Sequence, residues 1–379
     1  MFRRVGSATA IASMGVMPVF LVSASSVLIR SEMGISEAAI GAAIAVAFAA
    51  TALTSTAGGK LSDRLGAKRA LIIATAGSST SLVGISLGSG SLGGLLAWVA
   101  LGGAVNGLAQ PATNLLLARS RSVNKGLLFG IKQAGPPSAA LFAGILVPLV
   151  GAPLGWRWPF ALMAVLAWFC VPLIPRSEGS GERQPNDGEL DSPLGYLVVL
   201  ACAASVGMGA ATAVATFLVE GSVARGLSVA SAGWLLSAAS LCGIAVRIGA
   251  GWIADRRDHS HLQVTSAMLA LGGVGLFWLA LGPPGSIAPA TIMALSFSWG
   301  WSGLLMFAVV DYNRNAPAAA TGVVQAGAAL GAMIGPLILG LVISSGISYQ
   351  SAWLGSAVAA MLASLLVAVS RALLMRRFE

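Results

Sequence analysis

The sequence predicts an all-α membrane protein with twelve transmembrane helices in two six-helix bundles, which are related by a pseudo-two-fold axis along the membrane normal. Three observations predict this fold: the scarcity of charge, the number of long apolar stretches and an internal repeat. Of the 379 residues, 56% are hydrophobic and 9% are charged, and the mean hydropathy is +0.86. Soluble domains carry about 25% charged residues, so this composition excludes a chain that is wetted over its whole surface.

Long uncharged stretches mark the predicted spans. A span needs about 20 apolar residues, so stretches 70–118, 262–310 and 315–370 hold two spans each. Helix-breaking clusters divide these stretches near residues 88–91, 282–285 and 344–346. The remaining stretches hold one span each: 5–29, 38–59, 126–156, 158–175, 192–219 and 226–246. The total is twelve spans, which are numbered 1 to 12 along the chain.

Basic residues are concentrated on one side of the predicted spans. Eighteen of the 22 Lys and Arg residues fall on the side of the N-terminus, whereas Arg30, Arg157 and Arg225 fall on the other side. Positively charged loops face the cytoplasm, so we expect a multi-pass protein of the cytoplasmic (inner) membrane with both termini cytoplasmic. The formal charge of +9 is then a signal of topology, and no nucleic-acid partner is expected.

An internal repeat relates residues that are 192 positions apart. Three separate motifs match at this offset: 34–41 with 226–233, 59–64 with 251–256, and 130–135 with 322–327. The repeat predicts an N-terminal bundle at 1–175, a cytoplasmic linker at 176–193 and a C-terminal bundle at 194–379. Two halves of the same orientation imply an axis along the membrane normal, with a central path between the bundles.

The loop between spans 2 and 3 has a specific pattern of glycines and charges. It reads Gly59-Lys-Leu-Ser-Asp63-Arg64-Leu-Gly66-Ala-Lys68-Arg69, which resembles the signature loop of the major facilitator superfamily. The segment 155–158, Gly-Trp-Arg-Trp, resembles the superfamily's entry into span 6. The resemblance covers the whole chain and implies a secondary transporter that works by alternating access.

The same resemblance implies a set of gating residues. We expect Asp63 to hold Arg64 or Arg119 and to face the positive end of a neighbouring helix, Gly59 to permit close helix approach and Gly66 to permit a tight turn. The alternative is that these charges only set topology and solubility. The full set is Gly59, Asp63, Arg64, Gly66, Lys68, Arg69 and Arg119 with Gly251, Asp255 and Arg256 of the second copy.

The second copy of the loop departs from the pattern. Asp258 stands at the position equivalent to Gly66, and Asp311 stands at the position equivalent to Arg119. The C-terminal bundle therefore cannot repeat the same charge network. Arg247 or Arg314 is the remaining candidate to pair with Asp255.

Lys132 is a basic residue within predicted span 5. It precedes Gly135-Pro136-Pro137, which should bend the helix. A charge in the bilayer is costly unless it is satisfied or lines a cavity, so Lys132 either binds an anionic group of the substrate or snorkels to the headgroups.

Amide side chains and a tryptophan complete the candidate substrate site. Asn106, Gln110 and Asn114 follow one face of span 4 at intervals of four residues; they face a cavity or bond to another helix. Gln133 and Gln325 are repeat partners on spans 5 and 11. Trp299 on span 10 is an aromatic candidate, although tryptophan also serves ordinary packing.

Acidic residues are absent from the middle of every predicted span, which leaves the coupling ion open, with Glu220 or the gate aspartates as fallback. The leading hypothesis is a secondary transporter for a small polar or anionic organic solute, with that solute and the lipid bilayer as partners and the chain as a monomer. The alternatives are a proton-coupled drug or multidrug efflux transporter and a non-transporting sensor on the same fold. No nucleophile–base grouping, metal spacing or phosphate loop is present, so neither an enzyme nor a cofactor is expected.

Overall fold

The computed structural model of the chain describes residues 2–118, 125–174, 192–256 and 261–375. All regular structure in these residues is helical. The predicted linker falls almost wholly outside the described residues, as do Arg119 and Asp258 of the predicted gates. The helices are Phe2–Ala24 with Ser26–Met33 (span 1), Glu37–Gly88 (spans 2 and 3), Leu92–Ala118 (span 4), Lys125–Gln133 with Gly135–Leu146, Val147–Gly151 and Ala152–Leu154 (span 5), Arg157–Trp168 with Val171–Leu173 (span 6), Leu194–Ala224 (span 7), Val229–Ala254 (span 8), His261–Leu281 (span 9), Pro284–Ser286 with Ile287–Gly300 and Ser302–Tyr312 (span 10), Pro317–Ser344 (span 11) and Tyr349–Met375 (span 12).

The helix count agrees with the predicted fold. Within the described residues, ten helices are long and apolar enough to cross a membrane. One of them, Glu37–Gly88, contains spans 2 and 3, which are separated at Gly66 by non-helical backbone (φ 77°, ψ 154°). The shorter apolar helix at 157–173 supplies span 6. The predicted breaks at 88–91, 282–285 and 344–346 are confirmed as helix ends.

The internal repeat is visible in local geometry. Ser36 and Ser228 are 192 residues apart, and each caps the start of a helix. The side chain of each serine accepts a hydrogen bond from the backbone N–H of the residue three positions later. Gly34 and Gly226 precede them, with φ values of 65° and 96°. Only glycine takes this backbone conformation readily, so spans 2 and 8 begin in the same way.

The two bundles meet along two seams that the repeat makes equivalent. We call them the 2/11 seam and the 5/8 seam, after the spans that meet there. In the 2/11 seam, a Cβ on Gly41 would lie 2.4 Å from the carbonyl oxygen of Pro336. In the 5/8 seam, a Cβ on Gly233 would lie 2.8 Å from the carbonyl oxygen of Gly144. These two pairs are exchanged by the offset of 192, as a pseudo-two-fold axis requires.

The equivalence of the seams ends at one membrane face. We call the face with residues 60–69 the loop face, and the other the opposite face. Near the loop face, the 5/8 seam remains closed, because a Cβ on Gly130 would lie 2.8 Å from the carbonyl oxygen of Arg247. The equivalent glycine of span 11, Gly322, has no such neighbour within 4 Å among the described residues. The 2/11 seam is therefore open at Gly322, in the sense that spans 2 and 11 do not touch there.

Small residues bring the helices within each bundle together. On span 11, Cβ atoms on Gly327, Gly331 and Gly335 would lie 1.9–2.3 Å from carbonyl oxygens of span 7. Helices in lipid gain little from the hydrophobic effect between themselves, so close backbone packing is a main source of their association. The glycine spacing on span 11 thus serves contact inside the C-terminal bundle.

Candidate substrate site and gates

A break in span 5 holds Lys132 at the end of a helical segment. One helix ends at Gln133, and the next begins at Gly135. Hydroxyl groups of span 1 satisfy carbonyl oxygens at the break: Thr9 lies 3.2 Å from that of Ile131 and Ser13 lies 2.9 Å from that of Gly135. The helix is interrupted where the sequence predicts a bend, and span 1 satisfies two carbonyl oxygens there, as a membrane favours.

Three of the predicted site residues are joined by hydrogen bonds, which we call the polar chain. Lys132 Nζ donates to Gln110 Oε1 at 3.3 Å, and Gln110 Nε2 donates to Asn106 Oδ1 at 3.3 Å. Asn106 Nδ2 then lies 3.5 Å from Thr51 Oγ1 on span 2. The polar chain runs from span 5 through span 4 to span 2, so it lies within the N-terminal bundle.

The other predicted amides lie outside the polar chain. Asn114 and Gln325 are exposed, and Gln133 is half-buried. Both Gln325 and Gly322 lie on the part of span 11 near the loop face, where the 2/11 seam is open. The stripe expected on span 4 therefore divides into a buried, bonded part and an exposed end.

Arg247 is a residue that the sequence interpretation placed near the membrane surface, and the structure corrects this. Its side chain is 3% exposed, and Nη2 donates to the carbonyl oxygen of Trp299. The guanidinium also lies 5.2 Å from the centroid of the Trp299 ring, within the range of a cation–π contact. The signal was available: seven residues, about 10 Å of helix, separate Arg247 from the end of span 8 at Ala254.

An aromatic pair joins the two bundles beside Arg247. Trp299 packs against Phe20 of span 1, with ring centroids 5.2 Å apart and planes tilted by 51°. Such pairs are worth about 0.5–1.5 kcal/mol beyond area burial. Trp299, a predicted site residue, thus lies between a cation of its own bundle and an aromatic ring of the other.

A charged cluster closes the opposite face, and we call it the outer cluster. Arg30 of span 1 pairs with Glu37 of span 2 and, at 3.2 Å, with Glu220 of span 7. Tyr349 Oη donates to the same Glu220 oxygen at 2.8 Å. Ser344 Oγ on span 11 accepts from the backbone N–H of Ala38 at 2.8 Å. Arg30 is therefore a link between the bundles.

The signature loop has the turn that the sequence predicts, but the close helix contact is at the neighbouring glycine. A Cβ on Gly58 would lie 2.4 Å from the carbonyl oxygen of Gly107, whereas one on Gly59 would meet only Pro111, at 4.0 Å. Asp63, Arg64 and Arg69 are exposed, and Lys68 and Gly66 are half-buried.

The second copy of the loop contacts the other bundle. Asp255 Oδ2 accepts from the backbone N–H of Leu127 at 2.9 Å, near the start of the first helix of span 5, where a carboxylate is favourable. The two arginines suggested as its partners have other contacts: Arg247 donates to the carbonyl oxygen of Trp299, and Arg314 pairs with Asp311 at 2.7 Å. Arg256 stacks 3.7 Å from the Trp252 ring, and Gly251 is buried.

The segment before span 6 links spans 1 and 6 within one bundle. Glu32 accepts from Trp156 Nε1 at 2.8 Å and pairs with Arg157. The hydrogen bond from Arg157 holds the pKa of Glu32 below its ordinary value. Among the described residues, no group of three or more His, Cys, Asp or Glu side chains could hold a metal ion.

Two comparisons with known proteins bear on this architecture. The family model of the Major Facilitator Superfamily matches residues 5–325. The chain is similar in fold to the crystal structure of a D-xylose-proton symporter, with a TM-score of 0.77, 16% sequence identity and 97% of each chain covered. This chain is a multi-pass membrane protein that belongs to the major facilitator superfamily of transporters.

Proposed function

We propose that this protein is a secondary transporter of a small polar or anionic organic solute and that its loop face is cytoplasmic. The observation that carries the proposal is the polar chain. Lys132 places a cation within the bilayer, and its hydrogen-bond partner among the described residues is an amide rather than a carboxylate. An anionic or strongly polar solute would supply the missing counter-charge.

The direction of the Lys132 side chain supports this reading over snorkelling. A snorkelling lysine extends along its helix towards the headgroups, whereas Lys132 Nζ reaches across to Gln110 on span 4. The amides of Gln110 and Asn106 add donors and acceptors at the same place.

The open 2/11 seam supports transport by alternating access. The outer cluster seals the opposite face while the 2/11 seam is open near the loop face.

The experiment compares Lys132→Ala and Lys132→Arg with the wild type in proteoliposomes. Solutes are first chosen by thermal-shift screening of the purified wild type against a metabolite panel, since a bound solute stabilises the fold by mass action. We expect Lys132→Ala to lower kcat/KM for the transported solute at least tenfold, about 1.4 kcal/mol, and Lys132→Arg to retain more of it.

The matched control is Lys60→Ala, which removes an exposed lysine of the signature loop. Its substrate affinity should equal that of the wild type. If Lys132→Ala takes up every anion tested at the wild-type rate, the anionic assignment is wrong.

A drug exporter ranks second. The glycines of span 11 are accounted for by packing against span 7, so their spacing does not favour an exporter. Drug susceptibility of an overexpressing strain separates the two functions, because only an exporter raises resistance. Solute flux into proteoliposomes likewise excludes a non-transporting sensor.

A further inference from the structure

Arg247 is a second cation within the membrane, and its side chain is incompletely satisfied. Its Nη2 bonds to the Trp299 carbonyl oxygen, but Nε has no hydrogen-bond partner among the described residues. Within residues 2–118, 125–174, 192–256 and 261–375, no carboxylate forms an ion pair with Arg247 or with Lys132. Two positive charges within a membrane, one buried and one half-buried, are costly without a counter-ion, so a bound anion would relieve both.

Arg247 and Lys132 are attached at nearly the same depth. The backbones of spans 5 and 8 touch at Gly130 and Arg247, and Lys132 is two residues further, about 3 Å along the helix. From there the side chains diverge. Lys132 reaches Gln110 in the N-terminal bundle, and Arg247 reaches Trp299 in the C-terminal bundle. Each bundle therefore supplies one cation.

The buried aromatic pair lies on the side of Arg247 that faces the opposite face. Phe20 stands about 27 Å and Trp299 about 20 Å from the loop-face ends of their helices, whereas Lys132 and Arg247 stand about 10 Å from theirs. A solute that enters from the loop side meets the cations before it meets the aromatic pair. Its charged groups would bind the cations, and its carbon chain would contact the rings.

We propose that the solute is a small organic dianion, with one carboxylate bound by Lys132 and the other by Arg247. This inference rests on the proposed function and narrows its substrate class. A monoanion neutralises one of the two charges, whereas a dianion neutralises both. The dianion also spans the two bundles, so its binding is sensitive to their relative position, as a transported solute requires.

The test measures binding of dicarboxylates of three to six carbons and of their monoamides, which have nearly the same size but one charge. Thermal shift and isothermal titration on the full-length purified protein give the affinities. We expect at least one dicarboxylate to bind the wild type tenfold or more tightly than its monoamide. Arg247→Gln should erase this preference by weakening the dicarboxylate tenfold while changing the monoamide less than twofold.

The controls separate anion binding from folding. Arg247→Lys keeps the charge and should keep the preference. Arg225→Gln is the matched control, since Arg225 also donates to carbonyl oxygens, those of Leu279 and Gly282, but at the opposite end of its bundle; its preference should be that of the wild type. The comparison requires that unliganded Arg247→Gln has the same melting temperature as the unliganded wild type. Arg247→Met is the second variant, which also removes the charge.

Three outcomes would overturn the inference: equal affinity of the wild type for a dicarboxylate and its monoamide, no dicarboxylate binding, or an unchanged preference in both Arg247→Gln and Arg247→Met. Failure of the proposed function is distinguishable, because Lys132→Gln would then bind every anion as the wild type does. Failure of the inference alone leaves Lys132→Gln impaired and Arg247→Gln normal.

Discussion

The 2/11 and 5/8 seams are built from the same repeat, yet they differ at one membrane face. Near the opposite face both are closed by glycine against backbone, at Gly41 with Pro336 and at Gly233 with Gly144. Near the loop face the 5/8 seam stays closed at Gly130, whereas Gly322 on the 2/11 seam is clear of span 2.

The two seams also differ in sequence at equivalent positions. The 5/8 seam contains Lys132 and Arg247, whose repeat equivalents on the 2/11 side are Val324 and Ser55. It also has the bond from the Leu127 N–H to Asp255 across the bundles. In the proposed function, the two seams of the duplicated fold have separate roles: one carries the charges of the candidate site, and the other admits solute.

The largest expected effect on uptake follows from placing a larger side chain at the glycine contact that closes a seam near the opposite face. Gly41→Leu places a side chain where a Cβ alone would lie 2.4 Å from the Pro336 carbonyl oxygen, and overpacking costs about 1–3 kcal/mol. We expect uptake to fall more than tenfold and the opposite face to open. Labelling of Ser26→Cys, buried in the wild type, by an impermeant maleimide in a background without native cysteines measures that opening.

The control for this variant is Gly355→Leu, since a Cβ on Gly355 meets no heavy atom within 4 Å among the described residues. It should transport and label as the parent does. Normal uptake by Gly41→Leu would show that this contact does not hold the bundles together.

A smaller effect should separate the two seams near the loop face. Gly322→Leu has room in the open seam, so its melting temperature should match the wild type, but the added side chain would obstruct closure and lower uptake several-fold. Gly130→Leu enters a closed contact, so it should lower the melting temperature as well. Equal melting temperatures for the two variants would contradict the asymmetry. Binding affinity from the loop side should survive in Gly322→Leu.

The smallest effect concerns a contact that crosses neither seam. Glu32 pairs with Arg157 and Trp156 inside the N-terminal bundle, so Glu32→Gln should lower stability slightly, by less than about 1 kcal/mol because the pair is exposed, and leave uptake unchanged. Since folding lowers the pKa of Glu32 from 4.5, its contribution is present above pH 4.5 and is lost as the pH falls through the lowered value.

That pH dependence is checked by thermal melts of the wild type and Glu32→Gln. The difference between their melting temperatures should be seen at pH 7 and should vanish well below pH 4.5. If the difference in melting temperature persists in acid, the effect of Glu32→Gln comes from packing and not from charge.

The fold was predictable because its determinants are local and repeated. Apolar stretches end at breaker clusters, and the motif that begins span 2 recurs at the start of span 8 with the same serine cap and the same positive-φ glycine. Lys132 and the amides of span 4 were predictable as well, because a polar group in an apolar helix stands out without any tertiary information.

The remaining site features depend on helix phase and tertiary contact. Gly58 and Gly59 are adjacent in sequence, and only the rotation of span 2 decides which of them faces Gly107. Arg247 lies close enough to a helix end to snorkel, and its inward direction is set by the Trp299 carbonyl group in another span. The residue spacing along one helix predicts neither which glycine faces Gly107 nor the direction of the Arg247 side chain.

The outer cluster has a consequence for how its face opens. Arg30 and Glu37 belong to the same bundle, whereas Glu220 and Tyr349 belong to the other. Separation would therefore divide the cluster unequally: the arginine departs with one carboxylate as a neutral couple, and Glu220 keeps only a phenol. Glu220 is then the one member of the cluster that is left without a counter-charge. The energetic barrier to opening on that side of the membrane therefore depends on the hydration of its carboxylate.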